Sequence, residues 1–405
     1  METRRRKSTP VRDANSNLSE PRKVEEKYTS PYSCLLLFSL ICTVLVILWG
    51  WSYLYQAVYA VVLDAGSTGS RVLIFIFYRQ PATGNLVLHE EIFGESVPGL
   101  SSYAANPAAG ADTISSLLSL AKERIPHTHW SQVPVTLRAT AGLRLLPANQ
   151  SEALLSAVKE RLDMSGFSNR GVGMLSELDE GVFGWMTINY LMDQLHLPNK
   201  SYVALDLGGG STQITFLPKY KDTFCSTPSS YLHPIKVLKT PHTIYSHSYL
   251  GLGLMAAREA IFKYNDPYAS TSVESPCMVT TTPTNWEFHG KEYTISQSSS
   301  LGGYEACMLE VQAVIDNLQV DQCEEVPTRK IAAFSYFHDR AVDAGLLSHG
   351  QSGVVTVQQF LDSAQAACSQ PDTDKPFLCV DLSFIAGLLH HGYRLEAQAL
   401  LGLYK

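Results

Sequence analysis

Two carboxylates, Asp64 and Asp206, each close an apolar run and are followed by a short turn rich in Gly, Ser and Thr. The first stretch reads Val61-Val-Leu-Asp-Ala-Gly-Ser-Thr-Gly-Ser-Arg-Val-Leu-Ile-Phe75. The second reads Val203-Ala-Leu-Asp-Leu-Gly-Gly-Gly-Ser-Thr-Gln-Ile-Thr-Phe216. Glycines let backbone N–H groups approach an anion and turn toward it, and the hydroxyls add donors. An Asp at a strand end can hold a divalent cation, through water in the case of Mg²⁺. Neither turn carries the G-K-[ST] of a Walker loop or the G-x-G-x-x-G of a dinucleotide fold. One such turn alone is an ordinary hairpin. Two with matched Asp positions predict two similar lobes, each giving one carboxylate and one phosphate-sized loop to a shared cleft.

The elements that must position these groups alternate. Each Asp stretch reads as strand, tight turn, strand. Residues 111–125 place Ile114, Leu117, Leu118, Ala121 and Ile125 at helical spacing, stopped by Pro126. Residues 135–144 start as a strand and end in a Thr/Gly turn. Residues 151–162 form a second amphipathic helix. Residues 180–191 form a buried-looking helix with acids at its start, in which Trp185 and Tyr190 are expected in the core. Strand and helix in alternation predict an α/β architecture. A polar break at 196–200 separates the lobes. Residues 217–300, rich in Thr, Ser, Tyr and Pro, give no firm pattern. Residues 331–336 read as a strand and aromatic turn, and 354–368 and 381–390 as helices.

The chain has 405 residues, 45% hydrophobic and 17% charged, with net charge −7. Residues 1–32 hold eight basic and five acidic residues, which leaves 23 basic against 33 acidic in the remainder. A body that acidic argues against a nucleic-acid partner but not against a small phosphate ligand. The 19 residues Cys34–Ser52 carry no charge and are followed by Tyr53 and Tyr55, with Trp49 and Trp51 inside the run. This predicts a membrane span with an interface belt, and the basic tail places the N-terminus in the cytosol. A cleaved signal peptide is the alternative, disfavoured by the long polar segment ahead of the apolar run. The expected organisation is a cytosolic tail (1–32), a signal anchor (33–55), lobe I (56–197) and lobe II (198–405). Cys225, Cys277, Cys307, Cys323, Cys368 and Cys379 lie in the body and read as disulfides whose pairing spacing alone does not assign. Asn149 and Asn199 begin glycosylation triplets.

Five clusters occur in order: the two Asp turns, Ala139-Thr-Ala-Gly-Leu-Arg144, Asp179-Glu-Gly-Val-Phe-Gly-Trp185, and Ile331-Ala-Ala-Phe-Ser-Tyr-Phe-His-Asp-Arg340. Together they resemble the apyrase regions of the ectonucleoside triphosphate diphosphohydrolases (NTPDases) over about residues 58–395. Tyr245-Ser-His-Ser-Tyr-Leu-Gly-Leu-Gly253 and Phe377-Leu-Cys-Val-Asp-Leu-Ser383 look most like the single-span ER/Golgi nucleoside diphosphatase branch. The resemblance implies an actin-like, two-lobed fold with duplicated ribonuclease H-like lobes, preceded by one transmembrane helix. It implies hydrolysis of nucleoside diphosphates, chiefly UDP and GDP, in the secretory pathway. Glu180 matches the general base; Ser211 and Gln213 match the groups that hold the attacking water. Asp64 and Asp206 match residues that hold Ca²⁺ or Mg²⁺ through water. Gly66, Ser67, Thr68, Gly69 and Ser70, with Gly208, Gly209 and Gly210, match the phosphate cradles, and Thr140 lines the same cleft. The family pattern pairs Cys277 with Cys307 and Cys368 with Cys379, leaving Cys225 and Cys323 unassigned. It places the enzyme as a type II single-pass protein of the Golgi or ER membrane with a lumenal body, and a secreted form is possible. His338 departs from the branch, which usually has an aromatic hydroxyl there. The sequence also stops short of a family segment that returns to lobe one. The alternative that follows is a nucleotide-binding or interaction protein with weak catalysis. Oligomeric state is not readable from the residues.

Overall fold

The computed structural model describes residues 31–54, 57–80, 83–266, 268, 271–298, 303–370 and 372–405. Helix α1 (Pro31–Leu54) has 24 residues and no charge. Among the described residues no helix is long and apolar enough to cross a membrane. The side chains at 31, 33, 34, 48, 49 and 51–54 lie outside the described set, so the expected aromatic belt falls outside it. The expected cytosolic tail falls outside it through residue 30. Helix α1 and residues 79–84 form one unit; residues 57–78 and 85–405 form the other, described next.

The first sheet has the order β3-β2-β1-β4-β5. Its strands are β1 (Ala57–Ala65), β2 (Ser70–Arg79), β3 (Leu86–Ser96), β4 (Pro134–Ala139) and β5 (Ser168–Met174). Strands β1 and β2 are antiparallel, whereas β4 lies parallel to β1 and β5 parallel to β4. Period-two alternation buries Val61, Leu63 and Ala65 on one face of β1. Onto that core pack α2 (Pro107–Arg124) and α4 (Ala148–Asp163), with the short helix α3 (Ala141–Arg144) between them. Helix α2 begins earlier than its apolar spacing alone predicts. Pro107 stands at its first turn, and the Asn106 side chain accepts from the Ala109 N–H.

The second sheet runs β14-β15-β13-β6-β7-β9-β8. It contains β6 (Val203–Leu207), β7 (Ser211–Phe216), β8 (Leu232–Val237) and β9 (Thr240–Leu250) from the first half of the lobe. Strands β13 (Ile331–Ser335), β14 (Gly353–Thr356) and β15 (Leu400–Leu403) complete it. Its inner five, β9-β7-β6-β13-β15, repeat the order of the first sheet, hairpin first and parallel strand after. This is the duplication that the paired Asp stretches predict. Inserted in this lobe is a small sheet of β10 (Ser272–Ser275), β11 (Thr284–Phe288) and β12 (Lys291–Gln297). Sequence pattern gave no sign of it, because its strands are short and their neighbours polar. Helix α5 (Glu177–Leu191) precedes residue 198, yet it buries Val182, Trp185 and Ile188 against Ala204, Ile244 and Ala332 of the second sheet. Trp185 is fully buried, as expected. Tyr190 is 72% exposed, contrary to expectation, because it lies on the outer face of the same helix.

The remaining helices are α6 (Lys221–Ser226), α7 (Leu254–Phe262), α8 (Tyr304–Asn317), α9 (Tyr336–Asp343), α10 (Val357–Ser369) and α11 (Leu378–Gly387). Residues 354–356, read as helix from sequence, belong to β14. The Thr356 and Gln359 capping box starts α10 one residue later. The expected aromatic turn after Ser335 is the first turn of α9. Disulfides join Cys277 to Cys307 and Cys368 to Cys379, the pairs that the family pattern implies. Cys323 is a free thiol, and the Cys225 side chain lies outside the described residues. Asn149 and Asn199 are both exposed.

Glu310 on α8 is 6% exposed; the Asn265 amide donates to its Oε1, and Oε2 has no partner among the described residues. Burial pushes its carboxyl up to about 7. A carboxyl raised in the folded state favours folding while protonated, and that contribution is lost as pH rises through about 7. Glu310→Gln is therefore expected to flatten the fall in melting temperature between pH 5 and pH 8. At pH 8 the variant should gain on the order of 2 kcal/mol. Thermal melts of both proteins across that range check it, and parallel curves would contradict it.

Candidate active site

Each Asp turn closes on itself. Gly66 N–H donates to Gly69 O at 3.0 Å, and Gly208 N–H to Ser211 O at 3.0 Å. The hairpin register sets Asp64 opposite Arg71 and Asp206 opposite Gln213. The two turns meet: a Cβ placed on Gly209 would lie 2.2 Å from Ser67 Oγ. Only glycine allows this approach. The second turn is also held from behind, since Leu254 N–H donates to Gly208 O and Met255 N–H to Gly209 O at the start of α7. Across the cleft, Tyr336 OH donates to Thr68 Oγ1 at 3.1 Å.

Glu180 enters from the first turn of α5. The Ser176 hydroxyl caps this helix by accepting from the Asp179 N–H at 3.0 Å. The next residue, Gly181, is bare because a Cβ there would lie 2.5 Å from Thr215 Oγ1 and Ser246 Oγ of the second sheet. That packing brings Glu180 against Arg144, whose guanidinium donates to Glu180 Oε2 and sits 3.4 Å from Glu177. Arg144 Nε has no partner among the described residues.

Three carboxylates share the cleft, and each is held above its usual range. Burial pushes Glu180 up to about 7; Arg144 opposes this, and the charges of Asp206 and Asp64 add to it. Burial likewise raises Asp206 to about 6, with the Ser335 hydroxyl opposing and Asp64 adding. Asp64 is raised by burial and lowered by Arg71, which is 3.4 Å from Asp64 and 3.0 Å from Glu95. Like charges gathered in a poorly solvated cleft are costly without a cation.

The cleft encloses about 710 Å³. Its wall brings together Asp64, Gly66, Ser67, Thr68, Thr140, Glu180, Asp206, Gly208 and Gly209. Gly69, Ser70, Gly210, Ser211 and Gln213 do not reach that wall. Ser211 and Gln213 are 1% and 2% exposed, one layer back, where Gln213 Nε2 donates to Ser211 Oγ (2.6 Å) and Ser248 Oγ (2.9 Å). Sequence reasoning missed Glu95, Phe93, Leu175, Phe334, Ser335, Tyr336 and Asp339 on or beside the wall. Tyr336 stood within a quoted cluster and was legible as an aromatic near a strand end; Glu95 carried no local signal. His338 is not a wall residue: it is 2% exposed, and its Nε2 lies 3.0 Å from Gln351 O.

The donor set fits a hard divalent cation. It is all oxygen, and Asp206 Oδ1 and Gln213 Oε1 are buried without a partner among the described residues. No three cleft carboxylates among the described residues bring their oxygens within 4.8 Å of one another.

The family model described as "GDA1/CD39 (nucleoside phosphatase) family" matches residues 55–403. "Ectonucleoside triphosphate diphosphohydrolase 5" of Bos taurus is 39% identical over 360 residues, covering 86% of this chain and 83% of the relative. "Nucleoside diphosphate phosphatase ENTPD5" of Homo sapiens is 38% identical over 360 residues, 86% of this chain and 84% of the relative. "Ectonucleoside triphosphate diphosphohydrolase 6" of Mus musculus is 39% identical over 345 residues, 83% of this chain and 75% of the relative. Among solved structures, nucleoside triphosphate hydrolases from Neospora caninum align with TM-score 0.59 and 14% identity, covering 92% of each chain. At that identity the likeness is one of fold.

Proposed function

The chain belongs to the GDA1/CD39 (nucleoside phosphatase) family, and from that premise we propose that it hydrolyses nucleoside diphosphates to the monophosphate and phosphate. The single observation that carries this reading is one cleft. In it a largely buried glutamate, two strand-end aspartates and two facing glycine turns meet.

In this reading Ser67, Thr68 and Thr140 hydroxyls and the N–H groups of both turns receive the two phosphates. Glu180 accepts the proton of a water that attacks the terminal phosphorus while the bond to the bridging oxygen breaks. The nucleoside monophosphate leaves with that oxygen and its electron pair. Arg144 holds the Glu180 carboxylate in one orientation. Gln213, fixed by Ser211 and Ser248 one layer behind the wall, supports the place of the attacking water from behind. Asp64 and Asp206 would hold Ca²⁺ or Mg²⁺ through water, and the ion when bound neutralises charge on the phosphoryl oxygens. Phe93, Phe334 and Tyr336 place three aromatic residues on the same wall, as a nucleoside would need. UDP and GDP are the expected substrates, as the resemblance to the ER/Golgi nucleoside diphosphatase branch implies. No feature of the cleft favours binding without turnover.

The apolar run within α1, the basic residues before it, the two body disulfides and exposed Asn149 and Asn199 support a type II anchor. The body would then lie in the ER or Golgi lumen.

The test is phosphate release by the full chain from UDP, GDP, ADP and ATP, with Ca²⁺, Mg²⁺ or chelator. Diphosphates should turn over faster than ATP, and chelator should lower the rate by about 10²-fold or more, the scale of one lost electrostatic stabiliser. Turnover that survives chelation would contradict the cation's place.

A further inference from the structure

Ser335 ends β13 and precedes α9, with backbone φ 59° and ψ −129°. Residues with a Cβ rarely enter this region, and holding one there costs about 1–3 kcal/mol. Glycine would adopt it without strain. The register sets Ser335 opposite Leu207, beside the second glycine turn, and its side chain lines the cleft. The residue before it, Phe334, pairs with Asp206, so Ser335 and Asp206 line the same cleft; the Ser335 hydroxyl lowers the Asp206 carboxyl against burial, and Asp206 Oδ1 has no partner among the described residues.

A strained serine at a strand-to-helix turn is also how some hydrolases display an attacking hydroxyl. Such a serine needs a base in reach. The histidine of this turn is engaged elsewhere: His338 is buried, with Nε2 at Gln351 O and Nδ1 3.4 Å from Asp339. The group beside Ser335 in the cleft is the Asp206 carboxylate. We propose that Ser335 is a positioning residue: the strained turn holds its hydroxyl on Asp206 and so leaves Oδ1 for the water shell of the cation. This rests on the cation site of the proposed function.

The test uses the full chain, wild type beside Ser335→Gly, Ser335→Ala and Asp206→Asn. Thermal lift is titrated with Ca²⁺ or Mg²⁺ alone, and turnover is followed at limiting and saturating cation. Without cation, S335G should melt at or above wild type, because it loses the strain with the hydroxyl. S335A should melt no higher than wild type. Both should need about tenfold more cation for half of the thermal lift, the scale of one hydrogen bond to a charged group. Their turnover should fall at limiting cation and recover to within a few-fold at saturation. If S335G and S335A follow the wild-type titration while D206N loses its lift, Ser335 is merely structural and the proposal is overturned. If D206N also follows wild type, the cation site itself fails. If S335A loses turnover at every cation level with an unchanged titration, the serine is an attacking group and the proposal is again overturned.

Discussion

Glu180→Gln is expected to lower turnover of a nucleoside diphosphate by about 10²–10⁴-fold, the range for a lost general base. The amide has the same shape but cannot take a proton from water. The fold should not suffer. Burial and the neighbouring Asp206 and Asp64 push the Glu180 carboxyl up to about 7 despite Arg144, so its charged form is costly in this cleft. A neutral amide removes that cost, and at pH 8 the variant should melt at or above wild type. The same shift sets the pH dependence. Only the ionised carboxylate serves as base, so wild-type kcat/KM should fall as pH drops through about 7. Added cation should move that limb to lower pH by favouring the charged form. Melting curves beside pH-rate profiles separate a lost base from a lost fold. A variant that keeps more than a tenth of wild-type turnover would remove Glu180 from its role.

The second large effect is on stability. Glu325 and Arg329 form a buried ion pair, 3% and 8% exposed, that ties three strand ends together. Glu325 accepts from Lys219 N–H (2.9 Å) and the Thr223 hydroxyl (2.8 Å). Arg329 donates to Glu325, to Leu217 O (2.9 Å) and to Ser201 O (3.0 Å). The pair thus joins the exit of β7 to the entrances of β6 and β13, the strands that bear Gln213, Asp206 and Ser335. Glu325→Ala should destabilise the protein by about 3–5 kcal/mol, because it leaves a guanidinium buried without its counter-charge. Replacing both partners, as in E325L/R329M, should recover much of that loss. Denaturant unfolding of the two variants measures the difference. Equal losses would show that packing, not the stranded charge, sets the cost.

The two hairpins were legible because they are local. An Asp at a strand end, then glycines, then a second apolar run determines turn and register within fifteen residues. Residues 151–162 were legible as a helix through their apolar spacing and 180–191 as a buried helix with acids at its start; the helix starts missed, here and elsewhere, were set by Asn106, Ser176 and Thr356 caps. The small sheet β10–β12 was not legible, since its strands are short with polar neighbours, and β10 finds its partner β12 only beyond the intervening β11. The same holds within the site. Glu180 alone reads as a helix-start acid; what distinguishes it is Arg144, 36 residues earlier, and the two aspartates across the cleft. Glu95, Ser248 and the strained backbone of Ser335 have no local signal, because tertiary contacts put them in place. Tyr190 was misread because helical spacing marks a face without saying how far the core extends around it.

The most direct measurement is hydrolysis of UDP by the full chain in ¹⁸O-labelled water under single-turnover conditions with cation present. The account predicts one labelled oxygen in the released phosphate and none in UMP, because water attacks the terminal phosphorus and the bridging oxygen leaves with the nucleotide. Label in UMP, or no phosphate release from the folded protein, would contradict it.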